Sequence, residues 1–291
     1  MTAQILDGKS VAKICSNRTK IVVDTLRSKG FRAPKLAVIL VGHDPASSLY
    51  VRNKRIACEA VGITSVIHQL PYDTDQRLLT QHIHQLNNEE DVDGILIQLP
   101  LPPHILTQAI IEEIAFQKDV DGLHPYNMGR FDAGLPLLRP CTPQGIVYMM
   151  NHYGLLIKGK KSVVVGRSRI VGRPMALELL ACQSTVVICH SHTQHLPEEI
   201  ADADLVVACL GKPRYISGEW IKKGAIVIDV GIHRLPDHTI CGDVDWSTAK
   251  QRASWITPVP GGVGPMTIAM LLVNTVMAMQ KRLHITEPPT L

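Results

Sequence analysis

Apolar positions along the chain switch between a helical and a strand-like period, and that switching predicts the architecture. Residues 9–28 place Val11, Ile14, Cys15, Ile21, Val22 and Leu26 at helical spacing, with Gly30 as a stop. Lys35–Gly42 reads as a buried strand ending in a turn. Ser47–Val61 reads as a helix closed by Gly62. Ser65–Leu70 and Gly94–Leu99 read as further strands, with a helix over Asp75–Leu86 between them. A Pro-rich break at Leu99–Pro103 precedes an expected helix near Ile105–Ile114. The stretch from there to Pro140, rich in Gly, Pro and Asn, is expected to be irregular and to carry the crossing between domains.

Thr142–Tyr153 is expected as a helix with Thr142 as its cap and Pro143 at its first position. Strands near 163–166, 185–189, 204–209 and 225–230 follow. The final helix, Met266–Lys281, is apolar enough to be buried on most sides. Alternating strands and helices of this kind predict an α/β fold with parallel sheets and right-handed crossovers. No internal repeat or low-complexity tract interrupts them.

Composition narrows the class. At 291 residues the chain is long enough for two domains, and 45% hydrophobic with 19% charged residues describes a globular protein. A formal charge of +4, spread along the chain, is too mild to point to nucleic acid and only weakly suits anionic small substrates. Asp7 and Lys9 near the start leave no apolar core for a signal peptide, and Met266–Met279 is too short to span a bilayer. Seven cysteines without a C-x-x-C pair fit a reducing cytoplasm and buried thiols. Cys189-His-Ser-His192 has the look of a metal cluster, but no second ligand pair lies at zinc-like spacing.

The first candidate for chemistry is Ser162–Pro174. Val163–Val165 is a β-branched run, Gly166, Arg167, Ser168 and Gly172 make a turn, and Met175–Leu180 has the pattern of an amphipathic helix. Strand, Gly-rich turn and helix place backbone N–H groups against a phosphate. The spacing is G-x-S-x-x-x-G rather than G-x-G-x-x-G, and an ordinary strand–loop–helix unit has the same outline. About 20 residues on, where an NAD enzyme would carry Asp or Glu for the ribose 2′-hydroxyl, the chain has His190, Ser191, His192 and Thr193. With Arg167 and Arg169 in the loop, that composition favours a 2′-phosphate, so NADP over NAD. Gly224–Gly231 ends in Asp229 and Gly231 at the edge where such sheets bind ligands.

The first half supplies other polar candidates. Tyr50 and Lys54 stand at i and i+4 on one helix face, and burial there would lower the lysine pKa toward a useful acid/base range. A solvated helix face has the same spacing. Gln98 ends a strand before the Pro-rich break. Asp119–Asn127 is either a carboxylate-bearing binding loop or an Asx-turn loop.

These residues, in order, resemble a known family. Tyr50-Val-x-x-Lys54, Gln98-Leu-Pro-Leu-Pro102, Lys118-Asp-Val-Asp-Gly122 and Pro140-Cys-Thr-Pro143 match its motifs. So do Gly166-Arg-Ser-x-Ile-Val-Gly-x-Pro174 and Pro258-Val-Pro-Gly-Gly-Val-Gly-Pro-Met-Thr267. The chain resembles, over nearly its full length, the bifunctional methylenetetrahydrofolate dehydrogenase/methenyltetrahydrofolate cyclohydrolases. The resemblance implies NADP-dependent oxidation of 5,10-methylenetetrahydrofolate and hydrolysis of the methenyl product to 10-formyltetrahydrofolate, in one-carbon metabolism. It implies two α/β domains flanking a cleft: 1–140, rejoined by about 266–291, for folate, and a Rossmann-like NADP-binding domain at 141–265.

It further implies roles for single residues. Lys54 would be the acid/base group, with Gln98 tuning it, Tyr50 stacking on or orienting the folate and Asp121 holding the pterin. Gly264 and Pro265 would border the substrate. Gly166, Arg167, Ser168, Gly172, His190, Ser191 and Ile232 would meet the cofactor. No metal is implied, and the expected partners are the folate and a second copy of the chain, without nucleic acid or membrane. Arg169 departs from the smaller polar residue of many relatives and either adds to phosphate binding or points to solvent. A dehydrogenase without cyclohydrolase activity and a non-catalytic NADP(H) sensor are the competing readings. Both sit poorly with the presence of Tyr50, Lys54, Gln98 and Asp121.

Overall fold

The computed structural model describes residues 2–285. In the first half, β1 (Gln4–Ile5), α1 (Gly8–Ser28), β2 (Lys35–Val41), α2 (Pro45–Val61), β3 (Thr64–Leu70), α3 (Gln76–Asn88) and β4 (Gly94–Ile97) alternate strictly. Three helices follow: α4 (Thr107–Glu113), α5 (Pro125–Asp132) and α6 (Cys141–His152). Alternation then resumes with β5 (Lys161–Val165), α7 (Gly172–Ala181), β6 (Thr185–Cys189), α8 (Leu196–Ala201), β7 (Leu205–Ala208) and β8 (Ile226–Asp229). A small ribbon of β9 (His233–Arg234) and β10 (Ile240–Cys241), then α9 (Trp246–Ala249), β11 (Trp255–Ile256) and α10 (Val263–Arg282), complete the chain.

The chain divides into two compact units. One takes the chain up to Ala12 together with Thr142–Thr267, the other Lys13–Cys141 with the chain from Ile268. The boundaries fall within α1, α6 and α10. Placing the first twelve residues differs from the expected 1–140 block. The reason is β1, a two-residue strand that pairs in parallel with β11, Gln4 opposite Trp255 and Ile5 opposite Ile256. So short a strand carries no periodic signal of its own. The expected C-terminal segment runs to residue 291, and residues 286–291 lie outside the described residues.

In the first unit a six-stranded sheet has the order β1-β11-β8-β7-β5-β6. Its ladders are all parallel. β5 is flanked by β6 and β7, so the chain reverses its direction of winding there, where such sheets bind their ligands. Val163, Val165, Val206, Ala208, Val227 and Ile256 build the core of this unit. Burial on both faces explains why these strands read as unbroken apolar runs.

The second unit is built on a parallel sheet in the order β3-β2-β4. Ala37, Ile39, Leu79, Ile83, Ile95 and Ile110 form its core. Asp44 starts α2 by accepting from the Ser47 amide, and Gly62 ends it in the left-handed region. The expected irregular stretch holds α5, which the Gly, Pro and Asn content concealed. His124 caps it through Nδ1, accepting from Tyr126 N. α10 is long and apolar enough to cross a membrane, but 72% of its most apolar window is buried within the protein.

Candidate active site

The second unit gathers four of the polar residues singled out in its sequence. Tyr50 and Lys54 stand one turn apart on α2, and Gln98 follows β4 directly. Lys54 Nζ donates to Gln98 Oε1 at 3.0 Å, while Gln98 Nε2 donates to the Leu99 carbonyl at 2.7 Å. With its own amide anchored, Gln98 offers a fixed, uncharged acceptor. Burial pushes the Lys54 ammonium below the usual lysine range, against smaller upward pulls from Asp121, Cys141 and Cys58. The Tyr50 phenol is pushed up by burial and so stays a neutral hydroxyl.

The Lys118–Gly122 motif divides its labour. Lys118 is buried, and its Nζ donates to the carbonyls of Leu86, Asn87 and Glu89, closing the C-terminus of α3. Asp119 is also structural. Its Oδ2 accepts from His124 N and Asn127 Nδ2, both at 2.8 Å, which ties the turn to α5. Asp121 is the carboxylate in the electrostatic field of Lys54. Burial pushes its pKa up, while the Lys54 charge holds it down. Gly122 is required here: its φ is +74°, and a Cβ would run into the backbone of Arg139 and Pro140.

Two residues with no role in the sequence reading belong to this cluster. The Cys141 thiol, pushed far up by burial, stays protonated and donates to the Val120 carbonyl at 3.2 Å. Asn274 of α10, fully buried, donates to the carbonyls of Val120 at 2.8 Å and Arg139 at 2.9 Å. An asparagine interrupting a long apolar helix was the available signal. A half-buried amine beside a neutral acceptor and a carboxylate can take a proton from water and return it, which is general acid/base chemistry.

In the first unit the Gly-rich turn has the features of a phosphate cradle. Gly166 has φ +138°, and its missing Cβ leaves room for the Cys209 backbone after β7. A Cβ at Gly172 would strike the Gly166 carbonyl, so backbone packs on backbone where α7 begins. Ser168 Oγ accepts from the amides of Val171 and Gly172, each at 3.2 Å, and its hydroxyl proton remains available to donate. Arg167 and Arg169 are exposed on this turn.

His190 and Ser191 follow β6. His190 Nδ1 accepts from His192 N at 3.2 Å, so in the neutral ring Nε2 carries the proton. Ile232 is 48% exposed just beyond β8. Asp229, expected at a ligand-binding edge, instead serves the fold. Its carboxylate accepts from the amides of Gly231, Asp243 and Val244, and burial raises its pKa to about 6. Gly264 and Pro265, read as loop, lie in the first turn of α10.

Comparison with known proteins assigns this pair of units. Residues 6–121 match the family model described as the catalytic domain of tetrahydrofolate dehydrogenase/cyclohydrolase, and residues 140–283 its NAD(P)-binding domain. The chain belongs to the tetrahydrofolate dehydrogenase/cyclohydrolase family. Among its relatives is the "Bifunctional protein FolD" of Methylobacillus flagellatus, 55% identical over 280 residues that cover 96% of this chain and 97% of that one. A solved bifunctional FolD methylenetetrahydrofolate dehydrogenase/cyclohydrolase from Campylobacter jejuni is 45% identical, with a TM-score of 0.94, over 96% of this chain and 99% of that chain. The Trypanosoma brucei enzyme, solved with NADP cofactor and an inhibitor, is 37% identical with a TM-score of 0.93, over 97% and 99%. The family's two names, dehydrogenase and cyclohydrolase, stand beside two arrangements in this chain: a Gly-rich turn between β5 and α7, and a lysine hydrogen-bonded to a neutral acceptor.

Proposed function

We propose that this chain is the bifunctional enzyme that oxidises 5,10-methylenetetrahydrofolate with NADP⁺ and then hydrolyses the methenyl product to 10-formyltetrahydrofolate. The observation that carries the reading is the half-buried Lys54, hydrogen-bonded to neutral Gln98 within the field of Asp121. Burial lowers the lysine pKa from its ordinary value, which eases release of its proton, and the hydrolytic step needs a group that gives up and regains one. In that step neutral Lys54 accepts one proton as water adds to the methenyl carbon, and the ammonium returns it to N5 as the carbon–N5 bond opens, while the carbinol hydroxyl loses its remaining proton to solvent and becomes the formyl carbonyl. Tyr50 orients the folate ring. Asp121 accepts from the donor groups of the pterin, and Gly264 and Pro265 border the substrate.

NADP is the cofactor, and the first unit suits it. Gly166 and Gly172 leave room for a pyrophosphate against the start of α7, Ser168 can donate to it, and Ile232 borders the nicotinamide. Arg167, His190 and Ser191 offer a guanidinium, a ring N–H and a hydroxyl, donor groups suited to a 2′-phosphate. When bound, the nicotinamide supplies the hydride acceptor; the protein's part is to hold donor and acceptor carbons close and aligned. A dehydrogenase confined to the first step would have no use for the Lys54–Gln98 pair.

A homodimer is part of the reading. β3 lies at the edge of its sheet and is only partly buried, and an edge seven residues long needs cover that a second copy would supply. Free thiols at Cys15, Cys58, Cys141, Cys189 and Cys241, all buried, suit a reducing cytoplasm. The mild net charge gives no reason to invoke nucleic acid or a membrane surface.

The test is an assay with methylenetetrahydrofolate and NADP⁺ beside a Lys54→Met variant, following NADPH and methenyl absorbance separately. The reading requires wild-type NADPH formation without methenyl accumulation, and loss of methenyl hydrolysis in the variant. Absence of both signals with NADP⁺ and NAD⁺ would remove the enzyme reading and favour a cofactor sensor.

A further inference from the structure

We propose that Asn274 is a positioning residue for the acid/base site: from the last helix, it fixes the two chain segments that carry Asp121 and Cys141. The inference rests on the reading of Lys54 given above. The Asn274 side chain is fully buried and Nδ2 has two protons, one for the Val120 carbonyl at 2.8 Å and one for the Arg139 carbonyl at 2.9 Å. Its orientation follows from its partners. Carbonyls only accept, so turning the amide over would set Oδ1 against two oxygens. Nδ2 also lies 3.5 Å from Cys141 Sγ, whose own proton goes to the same Val120 carbonyl. Cys141 N in turn donates to the Asp121 carbonyl.

One amide therefore ties residue 120, immediately before Asp121, to residues 139 and 141. Gly122 lets the segments approach because its φ is +74° and a side chain there would meet Arg139 and Pro140. The arrangement has a cost, since Asn274 Oδ1 is buried without a partner. For packing alone, an apolar residue would avoid that cost. An asparagine gains over leucine here by satisfying two carbonyls and locking the backbone on either side of Asp121. The position of Asp121 sets how strongly its charge raises the Lys54 pKa. If the anchor is loosened, that support weakens and the lysine pKa falls.

The experiment compares the wild-type enzyme with Asn274→Ser, which keeps one donor but cannot bridge two carbonyls, and with Thr275→Val. Thr275 is the buried neighbour whose hydroxyl donates to Leu271 O within α10, so it controls for loss of helix packing. Cyclohydrolase rate against pH, the KM for folate, the KM for NADP⁺ and thermal stability are measured for all three. The expected result for Asn274→Ser is an ascending pH limb displaced to lower pH and a folate KM raised by about tenfold, with the NADP⁺ KM unchanged. Thr275→Val should leave the limb and both KM values in place even where it lowers the melting temperature. Should the serine variant not fold, Asn274→Gln, which keeps the amide on a longer stem, is read in the same way. A variant that loses stability with its limb and folate KM unmoved overturns the positioning role and leaves the functional reading standing. An inactive wild-type enzyme overturns both.

Discussion

Lys54 and Gln98 are joined by a 3.0 Å hydrogen bond in which the acceptor carries no charge. A carboxylate in the same place would hold the lysine proton far more tightly. The neutral partner lets burial lower the lysine pKa while still fixing the amine in space. Gln98→Glu tests this directly. The new carboxylate should raise the Lys54 pKa and move the ascending limb of the cyclohydrolase profile about 1–3 pH units higher, the usual effect of an adjacent opposite charge. Rates of methenyl hydrolysis from pH 6 to 10 would show it, and a limb that stays in place would mean Lys54 is not the titrating base.

Asp121 predicts the opposite sign. Its negative charge raises the Lys54 pKa, so Asp121→Asn removes that support and should move the same limb to lower pH. With Asp121 in its proposed role toward the pterin, folate affinity should fall as well, because a charged acceptor becomes a neutral one; about 1.5–3 kcal/mol is typical of such a bond. The pair of profiles is more telling than either alone. Displacement of Gln98→Glu and Asp121→Asn in the same direction would separate both residues from Lys54.

The cofactor turn predicts a preference rather than an on/off effect. Arg167 and Arg169 are exposed, so their contribution to a 2′-phosphate should be screened by salt. Replacing both by alanine should weaken NADP⁺ binding by roughly 10- to 100-fold at low ionic strength, equivalent to about 1.4–2.8 kcal/mol, while NAD⁺ binding changes little. Replacing them singly settles Arg169: a loss confined to Arg167→Ala means that Arg169 points to solvent. Calorimetric titration of both dinucleotides at two salt concentrations measures all of this.

Much of this arrangement was legible in the sequence, for identifiable reasons. The buried parallel strands announce themselves as apolar runs such as Val163–Val165, and Tyr50 and Lys54 share a helix face by spacing alone. The resemblance to the family, carried by six motifs in order, implied that Lys54, Gln98 and Asp121 act together before any geometry was known. What stayed hidden depends on partners far away in sequence. β1 has two residues, and only β11, some 250 positions on, makes it a strand. Lys118 resembles a site residue in a charged motif, yet its ammonium closes α3 about 30 residues earlier. Asp229 sits at the expected edge but is engaged by three backbone amides. Asn274 shows in sequence only as a flaw in an apolar helix. A polar residue in an otherwise apolar run identifies a buried partner, but not which one.

The same logic applies to Asp93, which sequence reading passed over and the fold depends on. Its carboxylate is fully buried and accepts from Arg32, from Arg282 near the end of α10 and from Lys35 N. Both arginines also donate to the Glu90 carbonyl, so one acidic group joins the start of β2, the turn before β4 and the last helix of the second unit. Removing it takes the directly bonded carboxylate from two guanidinium groups. Loss of one partner from a buried ion pair typically costs about 3–5 kcal/mol. Asp93→Ala should therefore destabilise the second unit by an amount in that range. The placement of the tryptophans makes the effect local to measure: Trp220, Trp246 and Trp255 all belong to the first unit. In urea, the far-UV circular dichroism transition should move to lower concentration by more than the tryptophan fluorescence transition does. Equal movement of the two would mean the units unfold as one. A change below about 1 kcal/mol by dichroism would place Asp93 with ordinary surface pairs, whose removal costs about that much or less.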